Sequence, residues 1–105
     1  MWFSIVSEDV PNSTELRLQH RPAHLARLQA MQSEGRLLVA GPNPQTDEAE
    51  PSSPAFSGSL VILDFESIAD AQAWAEADPF YLNGVYSTTT VKPYKLVLAA
   101  SAVDS

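Results

Sequence analysis

Four short apolar, β-branched runs alternate with helix-signalled segments in the order β-α-β-β-α-β. That order predicts a ferredoxin-like α+β sandwich, an antiparallel sheet with its helices on one face. Two further observations fit it. A chain of 105 residues builds one domain around one modest core. Hydrophobic residues at 45% against 18% charged are an ordinary globular balance. No segment repeats, so a single domain is expected over residues 1–98, with a frayed tail from Ala99 to Ser105.

The elements follow in order. Trp2 to Ser7 is aromatic and β-branched, a strand signal, and Glu8 to Ser13 reads as a turn. Thr14 to Gln19 suits a short helical stretch. Pro22 suits the first turn of the main helix, where its missing N–H costs nothing. That helix runs to about Glu34, with Gly35 as its left-handed cap and Leu25, Leu28 and Met31 facing the core. Arg36 to Ala40 is a second strand that Gly41-Pro42 stops. Asn43 to Ser57 is an acidic, proline-punctuated loop, either functional or a plain solvated excursion. Gly58 to Phe65 is the strongest strand. Ser67-Ile68-Ala69-Asp70 resembles a capping box and opens a helix through Trp74 to about Glu76. Asp78 caps a short helical turn from Pro79 to near Gly84. Tyr86 to Val91 is a strand, interrupted at Lys92-Pro93 and resumed over Tyr94 to Leu98.

The strand from Ser59 to Phe65 is apolar on both faces: Leu60 and Ile62 point one way, Val61, Leu63 and Phe65 the other. Helices cover one face of such a sheet, so the other needs a second cover. The simplest cover is another copy of the chain, a two-fold homodimer. At ~25 cal/mol per Å² of apolar area, several such side chains contribute several kcal/mol.

The formal charge is -7, from 13 acidic and 6 basic residues. The cations Arg17, Arg21, Arg27, Arg36, Lys92 and Lys95 form no basic stripe, which argues against nucleic acid and anionic membrane as partners. The absence of cysteine excludes disulfides, thiolate metal sites and a cysteine nucleophile, and fits a cytoplasmic location. Met-Trp-Phe-Ser-Ile-Val runs into acidic residues with neither a basic leader region nor a long apolar run, so no signal peptide or membrane span is expected.

Two segments carry the chemistry. His24 in Arg21-Pro22-Ala23-His24 and Asp78 in Ala77-Asp78-Pro79-Phe80 each stand at an expected helix entrance. An imidazole that gives one ring nitrogen to a carboxylate and presents the other to a pocket is a proton-transfer device. On spacing alone, a plain N-cap accounts for Asp78 and a surface histidine for His24. His20 and His24 have a zinc-compatible spacing, but a helix that begins at Pro22 leaves His20 off its face, and no third ligand follows. Arg21 either orients an anionic substrate or is a surface arginine. The Ser59 hydroxyl either faces the pocket or is structural, and no G-x-S-x-G elbow supports a hydrolase triad. The glycines make no phosphate-binding fingerprint. Trp74, Phe80, Tyr81 and Tyr86 are core or cleft aromatics, with Tyr81 within a helical turn of Asp78.

Taken together, these segments resemble the YciI-like, or YCII-related, family from about Met1 to Leu98. The carrying residues are Arg21-Pro22-Ala23-His24-Leu25, Glu34-Gly35-Arg36-Leu37-Leu38 leading to Ala40-Gly41-Pro42, Gly58-Ser59, Phe65-Glu66-Ser67, Ala77-Asp78-Pro79-Phe80, Gly84-Val85-Tyr86 and Val91-Lys92-Pro93-Tyr94. The resemblance implies a dimeric α+β barrel and a His-Asp site that maps onto His24 and Asp78. Some relatives take part in breakdown of halogenated aromatic compounds, which implies elimination or proton-transfer chemistry.

The expected function is therefore a small-molecule enzyme without a cofactor. His24 is the general acid/base, Asp78 orients it, and Arg21, Ser59 and Tyr81 hold a small polar or aromatic substrate for elimination, isomerisation or hydrolysis. The alternative is a non-catalytic ligand-binding or accessory dimeric domain, in which His24 and Asp78 form a structural hydrogen bond. A haem or metal binder through His24 is the weakest of the three.

Overall fold

A computed structural model describes residues 1–49 and 54–100 of the chain. In chain order the elements are β1 (Trp2–Asp9), α1 (Thr14–Ser33), β2 (Leu37–Pro44), β3 (Phe56–Asp64), α2 (Ile68–Glu76), α3 (Pro79–Leu82) and β4 (Tyr86–Tyr94). The four strands form one sheet in the order β2-β3-β1-β4, every neighbour antiparallel. This is the α+β architecture that the element order predicts.

The core lies between the sheet and the helices. Phe3 and Ile5 of β1 and Val61 and Leu63 of β3 meet Leu28 and Met31 of α1 and Ala71 and Ala75 of α2. The strand residues alternate, so each such position points to the helix side. Ser7, Asp9 and Ser59 continue the same faces toward one end of the sheet, where the polar residues gather. The opposite face carries Val6, Leu60 and Val39, 43%, 38% and 41% exposed, around a buried Ile62.

Capping follows the sequence signals. The Ser67 side chain accepts from the Asp70 N–H, and Asp78 accepts from the Phe80 N–H. Gly35 follows the α1 C-cap at a φ of 73°, a left-handed conformation that glycine adopts without steric cost.

Four expectations are corrected. The expected short helical stretch and main helix are one helix, so Pro22 lies inside α1 instead of opening it. Pro22 denies the Leu18 carbonyl its helical partner, but both residues are exposed, where water can serve. Gly41-Pro42 does not stop β2, which runs on to Pro44, and β3 starts at Phe56. Pro93 does not interrupt β4, which instead ends at Tyr94, leaving Lys95 to Leu98 without strand structure. Both prolines sit on edge strands, where alternate N–H groups face away from the ladder and a missing donor is tolerated. Leu25 is only half-buried and faces a cavity, while Leu28 and Met31 enter the core. Residues 50–53 of the expected loop and 101–105 of the expected tail lie outside the described residues.

Candidate active site

Because α1 is continuous, Arg17, Arg21, His24 and Leu28 fall four, three and four residues apart, on one helical stripe. That stripe walls a cavity of about 760 Å³ between α1 and the β2–β3 half of the sheet. Leu25, Leu37, Val61, Phe56 and Phe80 make most of its wall apolar. Pro54 and Pro42, from either end of the β2–β3 connection, reach its rim.

His24 lines the cavity. Its Nδ1 lies 2.8 Å from Asp78 Oδ1 and 2.9 Å from Oδ2. A carboxylate only accepts, so Nδ1 carries the hydrogen, and in the neutral ring Nε2 holds the lone pair. Nε2 has no partner among the described residues, and no buried side-chain nitrogen or oxygen among them lacks one. Nε2 is therefore not sealed in protein, and the ring lines the large cavity. Phe80 stacks on the imidazole with centroids 4.0 Å apart and planes 12° from parallel, which fixes the plane of the ring.

Asp78 is 3% exposed and reaches the cavity only through His24. Besides the imidazole it accepts the Phe80 N–H at 2.8 Å and faces Arg27 Nη1 at 3.4 Å. Arg27 also donates to the Trp74 carbonyl at 2.9 Å and lies over the Trp74 ring, 4.2 Å from its centroid. Burial lowers the Arg27 pKa, against the opposing pull of Asp78.

A second polar cluster adjoins the first. Arg17 grips Asp9 through Nε at 2.6 Å and Nη2 at 2.8 Å, and Asp9 also takes the Ser13 hydroxyl at 2.6 Å. Arg17 Nη2 further reaches the Gly58 carbonyl at 3.0 Å and Ser59 Oγ at 2.9 Å. Tyr86 donates to the same Ser59 oxygen at 2.9 Å, and burial pushes its pKa up to about 12. Behind His24, a space of about 10 Å³ lies among Ser7, Ser59, Asp78, Tyr86 and Thr89, room for about one water.

Of the expected site residues, His24 and Asp78 are brought together. Arg21 and Ser59 line the cavity. Ser59 is bonded to Arg17 and Tyr86 and makes no hydrogen bond with His24 among the described residues, so the two do not form a nucleophile–base pair. Tyr81 is 41% exposed and lines neither space; the short α3 turns Phe80 inward and Tyr81 out. Neither Arg17 nor Asp9 stood out in the sequence as a site residue. The spacing of Arg17, Arg21, His24 and Leu28 puts them on one stripe only because the helix runs through Pro22.

The YCII-related domain matches residues 1–95. Protein YciI of Escherichia coli O6:H1 is 53% identical over 97 residues, covering 92% of this chain and 99% of that protein. A Haemophilus influenzae protein is 48% identical over the same shares. The structure of 5-chloro-2-hydroxyhydroquinone dehydrochlorinase (TftG) from Burkholderia phenoliruptrix AC1100, in complex with 2,5-dihydroxybenzoquinone, aligns with a TM-score of 0.80 and 29% identity, covering 90% of this chain and 94% of that one. A domain match over nearly the whole sequence, with relatives of matching length, means that the chain belongs to the YCII-related domain family.

Proposed function

We propose that the chain is a small-molecule enzyme that works by proton transfer, with His24 as general acid/base, Asp78 as the residue that orients it, and elimination from an oxygenated ring compound as the reaction. One observation carries the reading: His24 Nδ1 is held 2.8 Å from a buried carboxylate while Nε2 has no partner among the described residues and the ring lines a cavity of about 760 Å³. Nε2 takes a proton from the substrate, the freed electron pair forms the new π bond, and the leaving group departs with its bonding pair. A positioned base of this kind contributes ~10²–10⁴-fold to rate. The reaction class is supported by the likeness to a dehydrochlorinase at 29% identity. Arg21 and Ser59, on the cavity wall, contact the substrate.

The test is chloride release from 5-chloro-2-hydroxyhydroquinone. The wild type is expected to release chloride, and His24→Ala to lose activity ~10²–10⁴-fold with an unchanged circular dichroism spectrum. No release by the wild type, or equal release by both proteins, sinks the reading.

We further propose a cytoplasmic homodimer. The cysteine-free sequence supports the location, and the exposed Val6, Val39 and Leu60 on the helix-free sheet face support a second copy as cover. Sedimentation at micromolar concentration is expected to give twice the 11.4 kDa chain mass.

A further inference from the structure

The large cavity extends well past the His24 ring. Its wall on α1 runs from Thr14 to Gln32. At 1.5 Å of rise per residue that is ~27 Å, with His24 ~12 Å short of the Gln32 end. Across the cavity, β2 lines it from Leu37 to Pro42. Ala40 pairs with Val61 and Pro42 with Ser59, the two β3 residues that also share the small space behind His24. The stretch of β2 level with His24 is therefore Ala40 to Pro42, and Leu37 lies ~10 Å beyond it. That is the Gln32 side, because β2 starts beside the end of α1, where the Arg36 N–H bonds the Met31 carbonyl at 2.9 Å. Helix and strand thus agree on an arm of ~10–12 Å past the imidazole.

The chemistry of the wall changes along this length. The ionisable residues on the described wall are Arg17, Arg21 and His24, none of them beyond position 24 of the helix. The aromatic residues also stay outside the arm: Phe80 is stacked on His24, and Phe56 pairs with Pro44. The arm itself is walled by Leu25, Leu28, Leu37 and Ala40, with the exposed Gln29 and Gln32.

An irregularity in β2 builds the arm. In a regular strand Leu37 and Ala40, three residues apart, point to opposite faces. Here the register with β3 shifts between Leu37 and Val39, and both residues line the cavity. The bulge re-aims a side chain, as bulges next to sites do. Leu25 and Leu37 are left only half-buried, apolar surface that a ligand can cover.

We propose that the substrate is an oxygenated ring bearing an unbranched alkyl or acyl chain, the ring at His24 and the chain in the arm between Leu25, Leu28, Leu37 and Ala40. The place of the ring rests on the acid–base reading; the chain-binding arm does not. Volume agrees, since about 760 Å³ suits a drug-sized molecule and a single ring fills only part of it. Aliphatic walls without a ring face suit a flexible chain better than a second aromatic ring.

The experiment measures the affinities of methyl, propyl and hexyl gallate by isothermal titration calorimetry. The three share one hydroxylated ring and differ only in the chain. The wild type is expected to gain ~2–4-fold per added methylene, the worth of burying it less the cost of ordering it. Hexyl gallate should therefore bind ~30-fold tighter than methyl gallate, or more. Ala40→Phe puts a ring into the arm and should flatten the series. Leu60→Ser, on the helix-free sheet face, should leave it steep. A flat series in the wild type means that a protein segment fills the arm, and overturns the proposal. So do binding of none of the three, an undiminished slope in Ala40→Phe, and a slope lost in Leu60→Ser, which would put the chain on the open sheet face. If Ala40→Phe does not fold, methyl-detected NMR of the wild type decides. Shifts of Leu25 and Leu37 with hexyl but not methyl gallate support the proposal, and their absence overturns it. Turnover plays no part in these readouts, so failure of the acid–base reading leaves the arm standing, and a flat series leaves the acid–base reading standing.

Discussion

His24 and Phe80 lie face to face, 4.0 Å apart, although 55 residues separate them in the chain. The stack and the Asp78 hydrogen bond are set together, because Asp78 caps the turn whose second residue is Phe80. One three-residue segment, Asp78-Pro79-Phe80, therefore fixes both the plane of the imidazole and the nitrogen that carries its hydrogen.

Asp78→Asn is expected to keep the cap, since an amide oxygen also accepts the Phe80 N–H, and to change thermal stability little. Chloride release should nevertheless fall ~10²–10⁴-fold. Nitrogen-15 NMR of His24 should show the Nδ1–H tautomer in the wild type and a mixture in the variant. The same tautomer in both would falsify the orienting role of Asp78.

Phe80 is buried and meets Tyr86 edge-on, centroids 5.7 Å apart, as well as His24. Phe80→Ala should cost ~3–5 kcal/mol in urea unfolding. Phe80→Leu should cost less than half of that, yet still slow turnover, because leucine has no ring face to align the imidazole.

The Arg17–Asp9 pair should behave as one buried unit. Arg17→Met alone should destabilise by ~3–5 kcal/mol, because it strands the Asp9 carboxylate. Adding Asp9→Leu should recover most of that loss. A double-mutant cycle checks this; additive losses would show that the two residues are not coupled.

Tyr86 predicts alkaline sensitivity. Its folded pKa stands at about 12 against the ordinary 10.0, chiefly through burial. Between those values the unfolded chain has lost the proton that the folded chain keeps, so folding stability is full below pH 10 and falls as pH rises toward 12. Tyr86→Phe should flatten this fall in urea titrations; an unchanged slope would assign it to other groups.

Gly58→Ala should weaken the sheet beside the site. An added Cβ there collides with the Ser7 carbonyl oxygen on β1, a backbone atom with no room to yield. A loss of ~1–3 kcal/mol is expected by thermal melting.

Much of this molecule was legible from spacing. Ser67 and Asp78 announce the two later helices because a capping side chain acts on a backbone N–H two or three residues away. The unbroken apolar run from Leu60 to Leu63 marks the central strand, because a strand buried on both faces carries no polar side. His24 and Asp78 each showed a suitable residue type, and the family resemblance paired them. Pro22 misled, because proline is as compatible with a first helical turn as with an exposed interior position, and only the fold decides which. Arg17 and Asp9 stayed hidden because charged residues eight apart around a turn usually lie in solvent. Their burial depends on Gly58, Ser59 and Phe56 arriving from β3.

The two edge strands have a consequence beyond the site. Pro42 and Pro44 lie on β2 and Pro93 on β4, so both free margins of the sheet have gaps in their donor rows. A stray extended segment cannot zip along either margin without losing hydrogen bonds. The prolines that obscure the strand boundaries in the sequence thus guard the folded protein against fibrillar stacking. They do so without constraining the broad face between them, where compact and self-limiting association stays open.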